Sequence, residues 1–282
     1  MFTYCYVSNA LTRQHVENYY KFIFKKIQPS STSCLVNLHS RLLSDATPCI
    51  VMLNIMVSLY HVSHKSGILY VMNIKHKLQY LSVVLALLLF LCLTVGVMSN
   101  ATWIDSLNRL VRNIIQQRSP LADSFFFNVT QLGGVTFTIL LTIILSAILG
   151  YYHHYRQLGF LIVNVLFFAG FITQLVKRFV QNPRPLPQLI PESGFSFPSG
   201  HTMMAVLLYG TLIILAHINI KQQHIRNIIL GLLAILMVLI PISRIYINVH
   251  HPTDIFAGVT LGYSLLVLST KIFHIGGTYD SK

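Results

Sequence analysis

The residues of this chain that could do chemistry fall in three short polar strings in its second half. In the third string Arg244 is followed by His250 and, four residues later, by Asp254. On a helical turn such a pair shares a face, so the carboxylate can accept a proton from one imidazole nitrogen and leave the other as a nucleophile or base. The adjacent His251, three residues from Asp254, is a rival for that role. The pair also reads as a cap at a helix start, with Pro252 suited to the first turn. The second string, Pro198-Ser199-Gly200-His201, opens an apolar segment. A serine hydroxyl, unobstructed backbone N–H groups at Gly200 and the positive end of a helix dipole together favour a phosphate there. His201 could then donate a proton to a leaving oxygen; in isolation the string is equally a serine N-cap beside an interfacial histidine. The first string carries Lys177 and, seven residues on, Arg184 between Pro183 and Pro185. Prolines on both sides restrict the arginine backbone and suit a fixed guanidinium fork. Lys177, Arg184 and Arg244 would set three cations around a dianion, or form a basic juxtamembrane patch, to which Arg178 is assigned.

The elements that must position these strings are apolar. The sequence predicts an all-α polytopic membrane helix bundle with six transmembrane helices, over residues 81–98, 133–150, 159–176, 202–217, 228–242 and 255–273. Trp103, Leu107, Leu110, Val111 and Ile114 recur at helical spacing, which predicts an amphipathic helix lying in the interface. Phe125 to Phe127 read as a lead-in to the second span. Five prolines exclude regular helix from much of the stretch between Lys177 and Pro198. With six spans counted from Met72, all three strings fall on one side of the bilayer. The loops on the two sides carry seven basic residues each. Setting Lys177, Arg184 and Arg244 aside as site residues makes the count seven to four and places the strings on the extracytoplasmic face of the cell membrane. Residues 1–71 are polar, aromatic and broken by Pro29 and Pro48, and are expected to be a poorly structured extension, with Met72 as a candidate natural start.

The composition agrees. Of 282 residues 54% are hydrophobic and 10% charged, against about 25% charged in soluble domains. The net charge of +13 is scattered between apolar runs and forms no stripe, which argues for anionic lipid head groups and against nucleic acid. Seven acidic residues offer no carboxylate cluster for a divalent cation. Gly258 and Gly262 form a G-x-x-x-G, expected to serve packing inside one bundle.

In order and spacing, Lys-x6-Arg-Pro, Pro-Ser-Gly-His and Ser-Arg-x5-His-x3-Asp resemble the three signature motifs of the type 2 phosphatidic acid phosphatase family, which shares a superfamily with the vanadium-dependent haloperoxidases. The match is complete at Lys177, Arg184, Pro185, Pro198, Ser199, Gly200, His201, Ser243, Arg244, His250 and Asp254. The resemblance covers residues 72–282 and leaves out the first 71. It implies hydrolysis of lipid phosphate monoesters or diphosphates through a phosphohistidine, with no metal or cofactor. By the same resemblance His250, in preference to His251, attacks phosphorus. Asp254 steadies the imidazolium, His201 protonates the leaving group, and Lys177, Arg184, Ser199, Gly200 and Arg244 bind the phosphate oxygens. Phosphatidic acid, phosphatidylglycerophosphate and undecaprenyl diphosphate all fit. The alternatives are a lipid phosphotransferase using the same phosphohistidine and a non-catalytic lipid-binding membrane protein.

Overall fold

A computed structural model describes residues 77–275. The expected extension over residues 1–71 and the candidate start at Met72 lie outside the described residues. All the regular structure within them is helical: α1 (Lys77–Met98), α2 (Thr102–Ile115), α3 (Pro120–Gln131), α4 (Val135–Tyr151), α5 (Tyr155–Val180), α6 (Gly200–Asn219), α7 (Gln223–Tyr246) and α8 (Pro252–Ile272). Five of these, α1 and α5 to α8, are long and apolar enough to cross a membrane, and α3 with α4, bent by 44°, make a sixth if the pair is one crossing and not a re-entrant loop.

The bend revises the expected second span. The chain is already helical from Pro120, so Phe125 to Phe127 lie within α3 and do not lead into a span from outside. Ser119 caps α3 by accepting a hydrogen bond from the Ala122 N–H at 3.2 Å, and Pro120 occupies the first helical position, where its missing N–H costs nothing. Leu132, Gly133 and Gly134 then interrupt the helix before α4 begins. The other crossings run past the expected ends, as at Tyr155 and Gln223. Hydropathy stops where polar side chains begin, but the backbone ladder continues through them because unpaired peptide groups are costly at the membrane.

Helix α2 is amphipathic, as its spacing predicts. Ile104 and Asn108 are buried against the bundle while Trp103, Leu110 and Ile114 are exposed on the other side, the arrangement of a helix lying in the head-group region. The turn from α1 needs glycine at Gly96, where a Cβ would lie 2.5 Å from Trp103 Cζ2.

Apolar side chains cover the outside of the crossings, with Leu85, Val95, Ile143, Leu166 and Leu232 all more than half exposed. That surface suits lipid, and the interior carries the polar pairs. Asn164 donates to Thr211 Oγ1 at 2.9 Å and accepts from Ser269 Oγ at 2.8 Å, tying α5, α6 and α8 together. Such bonds add specificity where hydrophobic burial cannot hold helices together. Both α5 and α6 contain π-helical turns, over Val163–Ile172 and Ala205–Tyr209.

Helix α8 packs on α6 through its two glycines. A Cβ at Gly258 would lie 3.0 Å from Thr202 and 3.3 Å from the Ser199 carbonyl oxygen, and one at Gly262 would lie 3.1 Å from Val206. The G-x-x-x-G therefore serves contact inside the bundle. Gly258→Val forces α8 away from the start of α6 and is expected to destabilise the protein by about 1–3 kcal/mol, read as a lower unfolding midpoint in detergent.

Candidate active site

Consecutive crossings run antiparallel, so the C-termini of α5 and α7 and the N-termini of α6 and α8 meet at one end of the bundle. The three strings sit at these four helix ends. Lys177 is in the last turn of α5, which stops where Gln181 adopts φ 54°. Arg184 lies in the α5–α6 connection, Ser199 caps α6, Arg244 is in the last turn of α7, and Asp254 is at the third position of α8.

His250 does not share a helix with Asp254, as the spacing suggested, but precedes α8 in the α7–α8 connection. That connection turns sharply at Asn248, whose φ of 54° is left-handed, a conformation asparagine tolerates better than most residues. Neighbours pin the turn. Asn248 donates to the Pro187 carbonyl at 2.7 Å, and the side-chain amide of Gln116 donates to Asn248 Oδ1 at 3.1 Å and to the Ile245 carbonyl at 2.7 Å.

The turn presents His250 Nδ1 to Asp254 Oδ2 at 3.2 Å, with the histidine nearly and the carboxylate fully buried. Its other nitrogen, Nε2, lies 3.3 Å from Arg184 Nη1. A guanidinium can only donate, so Nε2 carries the lone pair and Nδ1 the proton given to Asp254. The same Asp254 oxygen accepts the His251 backbone N–H at 2.8 Å. The cap reading and the orienting reading of Asp254 thus hold together in one carboxylate.

Two of the three cations are held by backbone carbonyls and the third by side chains. Lys177 Nζ donates to the carbonyls of Phe195 at 2.5 Å and Ser196 at 3.4 Å. Arg184 donates to the carbonyls of Val249, Gly194 and Ser193 at 2.9, 3.1 and 3.2 Å. Arg244, almost wholly buried, donates from Nη1 to Thr130 Oγ1 at 2.8 Å and from Nη2 to Glu192 Oε1 at 2.5 Å. Ser199 Oγ accepts the Thr202 N–H at 3.4 Å. The first N–H groups of α6, from Gly200 and His201, have no acceptor earlier in the helix and open on the same end of the bundle. His201 packs beside the α3–α4 break, where a Cβ at Gly133 would come 3.2 Å from its ring. All eight residues singled out from sequence therefore gather here, while Arg178 lies outside the hydrogen-bonded cluster.

Several supporting residues carried no readable signal. Asn182, inside the first string but given no role, donates to Asp254 Oδ1 at 3.4 Å and to Ser196 Oγ at 2.9 Å. Thr130 reaches Arg244 from 114 positions away, and Asn108 on α2 accepts the Thr253 N–H at 3.0 Å from 145 positions away. Helical spacing marks α2 but gives no hint that Asn108 caps α8. Glu192, which pairs with Arg244, carried no such signal either. Among the described residues no three His, Cys, Asp or Glu side chains converge as metal ligands.

Burial, and after it the positive charges of Arg244, Lys177 and Arg184, hold His250 well below the 6.5 of a free imidazole. The ring is therefore neutral at neutral pH, with a lone pair on Nε2. The unfolded chain binds this proton more readily, so His250 contributes stability above about pH 6.5 that is lost as the pH falls. In histidine-labelled protein, the imidazole nitrogen resonances absent from His250→Ala are expected to stay at neutral-ring shifts through pH 6.5. A midpoint at or above 6.5 would show that the site does not suppress the charge.

Comparison with known proteins agrees with this geometry. Residues 158–276, which span α5 to α8 and all three strings, match the PAP2 superfamily. Phosphatidylglycerophosphatase B of Bacillus subtilis (strain 168) is 29% identical over 185 residues, covering 64% of this chain and 89% of that protein. The crystal structure of a transmembrane PAP2-type phosphatidylglycerolphosphate phosphatase from Bacillus subtilis superposes with a TM-score of 0.60 at 25% identity, over 70% of this chain and 98% of that one. With the matched segment holding every residue of the cluster and the bundle shared, the chain is a multi-pass membrane member of the PAP2 superfamily, related to phosphatidylglycerophosphatase B.

Proposed function

We propose that this membrane lipid phosphate phosphatase works through a phosphohistidine at His250. The observation that carries the reading is the division of labour on that ring: Nδ1 is tied to Asp254, and Nε2 is left facing the cationic cluster. Nε2 attacks phosphorus, forming a P–N bond as the P–O bond to the lipid breaks. His201 gives its proton to the departing oxygen, and Asp254 stabilises the imidazolium. Lys177, Arg184, Arg244, Ser199 and the Gly200 N–H hold the non-bridging oxygens, the electrostatic role that dominates phosphoryl transfer. Water then cleaves the P–N bond and releases phosphate. Three fixed cations supply the charge that a metal provides in other phosphatases, so the reaction runs without one.

The substrates that fit are phosphatidic acid, phosphatidylglycerophosphate and undecaprenyl diphosphate. The likeness to a phosphatidylglycerophosphatase favours the second. A cluster at the helix ends, level with the interfacial helix α2, suits a head group whose chains stay in the bilayer. The charge asymmetry of the loops supports an extracytoplasmic site.

Phosphate release from a panel of these lipids, in detergent with EDTA, tests the reading. Release is expected to resist EDTA and to fall by about 10⁴-fold or more in His250→Ala. Asp254→Asn is expected to lose about 10²- to 10⁴-fold by disturbing the ring's tautomer. Rapid quenching with radiolabelled substrate should trap an acid-labile, alkali-stable protein phosphate in the wild type only. Phosphate appearing only when an acceptor lipid is added would establish a phosphotransferase instead.

A further inference from the structure

Glu192 is the acidic side chain that faces the arginines of the cluster, and the reaction proposed above gives it no part. Its Oε1 accepts from Arg244 Nη2 at 2.5 Å, and its Oε2 lies 3.6 Å from Arg184 Nη2. One carboxylate thus spans the two guanidinium groups assigned to phosphate. We infer that Glu192 is an internal counter-anion: it occupies Arg184 and Arg244 until a phosphate displaces it, and so sets how strong an anion must be to enter. The inference rests on the reading of those two arginines as phosphate ligands.

The partners differ in freedom. The Arg244 and Arg184 side chains are 2% and 9% exposed, whereas that of Glu192 is 29% exposed. Arg244 is anchored away from Glu192 by Thr130 on α3 and Arg184 by the Val249 carbonyl, while the Gly194 and Ser193 carbonyls that also hold Arg184 follow Glu192 on its own connection. Glu192 sits on a connection without regular helix, where its N–H is held by the Gln188 side chain at 2.9 Å. Two residues on, Gly194 takes φ 76°, and a Cβ there would meet nothing within 4 Å. An open cleft lined by Leu186, Gln188, Pro191 and Ser193 adjoins the carboxylate and offers it solvent. The anion can therefore leave while the guanidinium groups stay.

The chemical consequence is a threshold. Two guanidinium groups close together in a poorly solvated site repel each other, and a carboxylate relieves that repulsion. A terminal phosphate monoester, with two charges and three free oxygens, outcompetes the carboxylate. A phosphodiester head group, with one charge and two free oxygens, does not. A bilayer is full of diester lipids, so such a competitor keeps the site clear for monoesters.

Equilibrium dialysis of purified protein in detergent, with labelled inorganic phosphate and with dimethyl phosphate as a diester probe, tests this. Glu192→Gln is expected to bind phosphate about fivefold tighter or more, since no fraction of the arginines is then occupied internally, and to bind dimethyl phosphate measurably. Glu192→Asp, charged but too short to span both arginines, should fall between. Equal or weaker phosphate binding by folded Glu192→Gln overturns the inference. Hydrogen exchange on the wild type decides independently of how the variants fold. Saturating phosphate should speed exchange over residues 188–192 as Glu192 lets go, and protection or no change there overturns it. A protein that binds phosphate in this pattern yet releases none from any lipid would leave Glu192's role standing and remove the phosphatase reading.

Discussion

The site depends on one buried carboxylate. Asp254 is fully buried and receives a bond from each of the three strings. Oδ2 takes the His250 ring and the His251 N–H from the third, Oδ1 takes Asn182 from the first, and its backbone carbonyl takes the Ser199 N–H of the second at 3.1 Å. A lone ionised carboxylate in such a place would cost several kcal/mol. The donors from His250, His251 and Asn182 offset that cost, and together with the Ser199 bond to the backbone they lock the three strings to one another. Orientation of His250 and capping of α8 are one arrangement here, because the carboxylate that takes the His250 ring sits in the first turn of α8.

Around this anchor the cations are preorganised differently from the anion that faces them. Lys177 and Arg184 are held by carbonyls at the ends of neighbouring segments, and Arg244 by a threonine on α3. Their positions follow from backbone geometry and change little unless a helix end moves. Glu192 hangs on the irregular connection and reaches in from solvent. Under the proposed reaction, cations already held in place before a phosphate arrives would need little reorganisation.

The membrane explains why the chemistry lies at helix ends. Within the hydrocarbon every peptide group is bonded inside its own helix, leaving no backbone donors for a ligand. At the N-terminus of α6 such donors are free, and at the C-termini of α5 and α7 long cationic side chains can reach the interface. Glycine contact between α6 and α8, at Gly258 and Gly262, brings Ser199 and Asp254 within bonding distance across two helices. The bend between α3 and α4 sets Thr130 against Arg244 and Gly133 beside the His201 ring.

Five long apolar helices, the amphipathic helix α2 and the eight clustered residues were legible in the sequence, because each depends on local pattern: apolar length, 3.6-residue spacing, or residue types a few positions apart. Hydropathy missed α3, since its polar first turn and the glycines after it hide a helix whose capping by Ser119 and Pro120 is nevertheless local. Spacing placed His250 and Asp254 on one helical turn, whereas the contact is made from a left-handed turn at Asn248 onto the start of α8. The roles of Asn108, Thr130, Asn182 and Glu192 were decided only by tertiary structure. A hydrogen bond between residues more than a hundred positions apart leaves no periodicity in the chain, and the sign of a charge does not say which buried partner it will meet.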